Sequence, residues 1–321
     1  MPNVPLIRYG GNFMIPQPFA IRQVRAYGFA VTGDAAKMQA LCDKTLNLAP
    51  DTRYQVLSST VLITFMRMER LTSTQPAAAA LGTFSETELN VSVFLAAEEK
   101  FGPVWLPKRL VWNMPYLWLD SSHAMIAGRE IYGFPKNYGS VSMPLAEGER
   151  ADFSARSEVL HRFGPQQQGA ILPIANVRRT DATALAFERP FDEVAGAFGD
   201  FVEAVIGITE PFTFIAASLG NLTAEHLLNL TFLCQLPSIV DGSRACYQGI
   251  AEASAVPVAV RGAGLLSGDY EIAIPYHDSV PWAYELGLVA TKTDALLTPH
   301  AGFHLDMDFD LTAGREIWTA T

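Results

Sequence analysis

The chain has 321 residues, 49% hydrophobic and 17% charged, with a formal net charge of −10. That length allows a large buried core. The acidic balance, without any lysine–arginine run, excludes nucleic acids and anionic membranes as main partners, because both demand clustered cations. Three widely spaced cysteines, Cys42, Cys234 and Cys246, exclude a disulfide framework and fit reduced thiols in a cytoplasmic setting.

In chain order, the first 22 residues read as an extended arm broken by Pro2, Pro5, Pro16 and Pro18. They lack a charged segment followed by an apolar run, and no stretch of about 18 uncharged apolar residues occurs, so a soluble, unexported protein is expected. Strand character begins in "RAYGFAVTGD" (25–34). A helix follows over 34–47, with Asp34 as its cap and Met38, Leu41, Cys42 and Leu46 at helical spacing. "YQVLSSTVLITFMRME" (54–69) reads as one long strand or a strand pair, and "TSTQPAAAALG" (72–82) as a loop. Glu88–Ala97 alternates and then turns wholly apolar, as a strand entering a core does.

Residues 114–135 start as a strand, turn at Asp120–Ser122, and resume as extended chain toward Lys136. More strand-like segments lie in 139–163. A helix is predicted over Phe191–Gly207, and 222–237 starts as a short helix that becomes a strand before Pro237. Residues 241–275 follow period two, with turns at Asp241–Gly242 and Ser267–Gly268. There is no fixed-period repeat and no βαβ alternation, so the class is α+β, predominantly β.

"IAGREIYGFPKNYG" (126–139) sets one of only six lysines, Lys136, among Tyr132, Phe134, Pro135 and Tyr138. An ordinary lysine has a pKa of about 10.4 and is an ammonium ion at neutral pH. Attack on a ketone needs the free amine, so an imine-forming lysine requires a bias on the order of 4–5 kcal/mol at about 1.36 kcal/mol per unit. Desolvation or a nearby cation supplies such a bias, and the crowded apolar surroundings point to desolvation. The bland alternative is a lysine snorkelling from a turn with its stem packed on aromatics.

"GREIYGFPKN" (128–137) and its lead-in "WLDSSHAMIA" resemble the signature of the acetoacetate decarboxylase-like superfamily. "LPSIVDGSRACYQG" (236–249) is similar to a second block of that family, and "RAYGFAVTGD" to an early strand bearing an arginine, here Arg25. The resemblance spans roughly residues 20–290. It implies a single domain over 1–321 with insertions near 72–80, 98–110 and 150–230 and a C-terminal extension after about 290. It implies a cone-like antiparallel β-barrel with flanking strands and a few helices, the lysine inside, and a homo-oligomer. Lys136 takes the place of the imine-forming residue, and Glu86 or Glu88 that of the family's acid. Glu86 stands at the decarboxylase spacing, whereas Glu88 better suits a strand facing a pocket, and one of the two is expected to face solvent. Arg129, Tyr132 and Arg25 are candidates for binding a substrate carboxylate or lining the pocket, with an Arg129–Glu130 ion pair bracing the turn as the rival reading.

True decarboxylases of the family carry two consecutive lysines, and this chain has Asn137 after Lys136. A cation about 6 Å away at an effective dielectric near 20 contributes roughly 2–3 kcal/mol. Burial alone shifts a lysine by up to about 3–5 units, so imine chemistry survives its loss. A second acid of the decarboxylases is absent, its best match being Thr64. These departures favour an imine-forming lyase of aldolase–dehydratase or tailoring type acting on an oxo acid or ketone, over decarboxylation of acetoacetate. Trp112, Trp118, Met125 and Phe134 suit a larger, less polar substrate. No organic cofactor is implied, since the imine is the electron sink. A non-catalytic barrel binding an apolar ligand is the rival from another class.

"HAGFHLDMDFD" (300–310) invites a metal reading, but in a strand Asp306, Asp308 and Asp310 share one face, most often the solvated one, so no metal is expected. "RGAGLLSG" lacks the strand–helix context of a phosphate loop. Cys234 and Cys246 read as core residues.

Overall fold

In a computed structural model that describes residues 5–7, 10, 14–190 and 229–320, the period-two segments become long strands. The N-terminal half contains β1 (Phe19–Thr32), α1 (Ala35–Thr45), β2 (Thr52–Ser73), α2 (Pro76–Ala79), β3 (Phe84–Phe101) and β4 (Val104–Leu119). Then come α3 (Ser122–Ala127), a π-helical turn (Gly128–Tyr132), β5 (Lys136–Ser142), β6 (Asp152–Val159), β7 (Ala170–Arg179) and β8 (Phe187–Pro190). The remainder holds β9 (Asn229–Pro237), β10 (Ala245–Leu266), β11 (Tyr270–Ile274), α4 (Trp282–Glu285), β12 (Ala295–Leu297), β13 (Ala301–Leu311) and β14 (Arg315–Thr319). The helix predicted over 191–207 and the helical start of 222–237 lie outside the described residues.

Strands β1 to β4 pair antiparallel in chain order. β13 pairs with β1 and β10, and β10 with β9. β9 meets β4 in a short parallel contact, Val111 with Asn229 and Trp112 with Leu230. Seven strands thereby close a ring. The pairing is mixed, because β5 also joins β4 in parallel. From there the sheet continues through β6 and β7 to β11 and β12 as a second layer.

Closure buries the inner face of the ring strands, and the second layer covers part of the outer face. On β1, Tyr27 and Phe29 point away from the ring interior and meet Phe153 of β6 at 5.4 and 5.2 Å between ring centroids. Each fully buried side chain of this kind stabilises the fold by roughly 1.5–3 kcal/mol relative to exposure. Ile21, Met307, Phe309 and Leu311 face inward and form a separate cluster. α1 packs Met38 and Cys42 onto this framework, and Asp34 caps it as predicted, accepting from the backbone of Ala36 and Lys37.

Several expectations change. Residues 122–132 are helical and not extended: Ser121 caps Ala124, and the small buried residues Ala124, Ala127 and Gly128 recur at helical spacing. β13, in the stretch read as an extension, stands inside the ring between β1 and β10. Its acids share one face and are paired, Asp306 with Arg25, Asp308 with Arg261 and Asp310 with Arg22. No cluster of metal ligands occurs among the described residues. Cys234 is buried as expected, but Cys246 is exposed. None of the described helices is long and apolar enough to cross a membrane.

Candidate active site

The ring encloses a cavity of about 480 Å3. Four residues of β3 reach into it in succession, Glu86, Glu88, Asn90 and Ser92. Their spacing of two puts them on one face, while Leu89 and Val91 between them join the core on the other. Glu86 and Glu88 therefore enter the cavity together, and the expectation that one of them faces solvent is corrected: they are 2% and 5% exposed.

Lys136 arrives at the start of β5, which pairs with β4 and so lies two strands from β3. α3 ends in the π-helical turn, and Gly133 reverses the chain at φ 78° in the left-handed region. A side chain at Gly133 would also meet the Cys234 backbone at 2.6 Å. Gly128 has a different role. A Cβ there would lie 2.6 Å from Cδ of Lys136 and 2.9 Å from Cε, so its bare Cα is the floor on which the lysine stem rests. The Phe134 ring lies 5.5 Å from Nζ.

Nζ of Lys136 lies 3.3 Å from both carboxyl oxygens of Glu86 and 3.9 Å from Oε2 of Glu88. The Asn90 side-chain amide donates to Glu88 Oε1 at 3.1 Å, and the Ser92 hydroxyl donates to Asn90 Oδ1 at 3.2 Å. Burial pushes the Glu88 carboxyl up to about 7 against the attraction of Lys136, with Glu86 adding repulsion. Burial also raises Glu86, and Lys136 opposes that rise. A carboxyl raised as Glu88 is holds a proton near neutral pH and can release it, the behaviour needed of an acid–base group beside a reacting carbon.

Asp120 fixes the aim of the two acids. Its Oδ1 accepts from the Thr87 backbone N–H at 2.7 Å, between the two glutamates, and Arg67 holds the Thr87 hydroxyl at 2.9 Å. The signal for this residue was the "WLD" lead-in, read for its likeness without a role. Asn90 and Ser92 were missed, although the alternation of "ETELNVS" marks them as sharing the face of the glutamates.

Of the sequence-predicted site residues, Lys136, Glu86, Glu88 and Tyr132 meet at the cavity. The Tyr132 hydroxyl donates to the Thr312 carbonyl at 2.9 Å, and its ring stacks on Phe134. Arg25 and Arg129 are not brought there. Arg25 makes a two-pronged ion pair with Asp306 at 2.8 and 2.9 Å, on the opposite face of β1 from the inward-facing Ala26. Arg129 is exposed and donates to the Lys136 backbone carbonyl at 2.9 Å, bracing the turn without Glu130. Asn137 also points outward, its amide on the Pro135 carbonyl at 3.1 Å. Thr64 lines the cavity.

Residues 3–160 match the sequence model of the family described as acetoacetate decarboxylase. No curated protein matches the chain in sequence. Among solved structures, acetoacetate decarboxylase from Legionella pneumophila superposes with a TM-score of 0.60 at 15% identity, covering 99% of this chain and 93% of that one. The enduracididine biosynthesis enzyme MppR, complexed with pyruvate, gives 0.55 at 14% identity over 96% and 93%. An acetoacetate decarboxylase-like enzyme from Sphingomonas wittichii RW1 gives 0.54 at 15% identity over 94% of each chain. At these identities the likeness establishes the fold.

Proposed function

Because the chain belongs to the acetoacetate decarboxylase-like superfamily, we propose that it is an enzyme that forms an imine between Lys136 and a ketone or oxo acid. The observation that carries this reading is the buried Lys136 amine, lining a cavity with Glu86 at 3.3 Å and Glu88 at 3.9 Å. The amine attacks the carbonyl carbon, and a protonated carboxyl gives its proton to the departing hydroxyl, which leaves as water. Glu86, holding Nζ through both oxygens, is suited to that step. The iminium then draws electrons from the adjacent carbon. Glu88, farther from nitrogen and with a pKa near 7, takes the proton there and leaves an enamine. The imine is itself the electron sink, so the reading calls for no organic cofactor.

An enamine can attack an aldehyde and lose water, and we favour that aldolase–dehydratase course, or a related tailoring reaction, over decarboxylation of acetoacetate. The outward-facing Asn137 at the position of the second lysine supports this preference, as does the binding of a pyruvate–aldehyde condensation product by MppR. The rival is decarboxylation of acetoacetate or a larger 3-oxo acid. Incubation with acetone, pyruvate or acetoacetate plus cyanoborohydride is expected to fix a mass adduct on the Lys136 peptide, absent in Lys136→Ala. No adduct with any of them at high concentration would sink the imine reading. Brisk carbon dioxide release from acetoacetate would overturn the preference between outcomes. A non-catalytic apolar-ligand barrel predicts instead that Lys136→Ala leaves ligand affinity intact.

A further inference from the structure

The cavity holds far more than a three- or four-carbon acid and offers such an acid few cationic partners among its described lining residues. At about 30 Å3 per liquid water, its 480 Å3 falls in the range of pockets that enclose drug-sized molecules. Lys136 is the only lysine or arginine among its described lining residues, and imine formation occupies that nitrogen with the substrate itself. Glu86 and Glu88 flank the same atom. Asn90 is engaged with Glu88 and Ser92 with Asn90. Arg25 and Arg129 are held elsewhere. Beyond the β3 stripe, Ile21, Leu305, Met307 and Phe309 present an apolar wall.

Resting on the imine reading, we infer that the substrate is an uncharged ketone with a medium-length apolar chain, lacking an ionised group beside the reacting carbon. A carboxylate there would face two buried acids with the iminium as the one cation among the described lining groups, whereas an alkyl chain meets the apolar wall of Ile21, Leu305, Met307 and Phe309. The test is reductive alkylation of the full-length protein with acetone, 2-nonanone and pyruvate at pH 7. In each reaction nitrogen replaces the carbonyl oxygen, which leaves as water. Cyanoborohydride then delivers hydride to the imine carbon, giving a secondary amine. The extent of Lys136 modification is read by peptide mass against carbonyl concentration, with N-acetyl-lysine run in parallel to divide out intrinsic reactivity.

Half-maximal modification is expected at a concentration at least about tenfold lower for 2-nonanone than for acetone, since each buried methylene favours binding. Pyruvate is expected to be the weakest of the three. Pyruvate acting at a lower concentration than 2-nonanone, or equal acetone and 2-nonanone curves, would overturn the inference and leave the imine reading standing. Failure of all three to modify Lys136 would remove both.

Discussion

Glu88 is a carboxyl whose ordinary pKa of 4.5 is raised by burial to about 7. Between those values the folded protein holds a proton that the unfolded chain has released. Its contribution to stability is therefore fully present below about 4.5 and is lost as pH rises through 7, a swing on the order of 3 kcal/mol. Glu88→Gln keeps the shape and removes the titration. Scanning calorimetry at pH 5 and pH 8 is expected to show the wild-type Tm falling roughly 5 °C more than that of the variant. If Glu88 also moves the proton next to the imine, deuterium exchange into acetone rises through pH 7 in the wild type and is flat in Glu88→Gln. Arg25 gives the opposite case, an arginine proposed from resemblance that sits in an ion pair with Asp306 with both partners partly exposed. Arg25→Ala is expected to cost about 1 kcal/mol or less by denaturant titration and to leave Lys136 trapping unchanged. A marked loss of trapping would return Arg25 to the site.

The α3–π-turn–β5 segment places the lysine, and its two glycines fail differently when altered. Gly128 has helical dihedrals, so alanine there suits the backbone by up to about 1 kcal/mol. Its new methyl would lie 2.6 Å from Cδ of Lys136, and a flexible stem must yield. Gly128→Ala is thus expected to keep its Tm within a few degrees while imine trapping slows at least about tenfold. Gly133→Ala meets rigid backbone at a positive φ and loses stability outright. Unchanged trapping in Gly128→Ala would mean that the stem does not rest there. Much of this segment was legible, because its glycines, proline and lone lysine mark a tight approach. Its helical shape was not, since the clustered apolar residues at 124–127 and 131–134 fit a helix or a strand equally. On β3 the alternation fixed which residues share a face. It could not tell solvent from cavity, because the cavity exists only once strands remote in sequence close the ring and the second layer covers the other face.

That closure depends on pairings remote in sequence, which is why β13 read as an extension although Arg25 and Asp306 face each other across 281 positions. Its outer-face ion pairs with β1 and β10 tie the two halves of the chain together, and local periodicity carries no trace of them. Among the described residues, the ring's shortest junction is the two-pair contact of β4 with β9, set among far longer pairings. Two side chains reinforce it: Asn113 donates to the Thr231 carbonyl at 2.8 Å, and Asn229 to the Leu110 carbonyl at 3.4 Å. Asn113 and Thr231 are both buried, so losing that donor costs about 1–3 kcal/mol at a place with few backbone bonds to share it. In Asn113→Ala, amide hydrogen exchange should therefore speed up first at 110–114 and 229–233, with β1 and β2 protected nearly as before. Imine trapping should weaken with it, because Trp112 and Leu230 at this junction line the cavity. Uniformly faster exchange across all strands would instead mean that the ring opens only by global unfolding, and that the β4–β9 junction is no weaker than the rest.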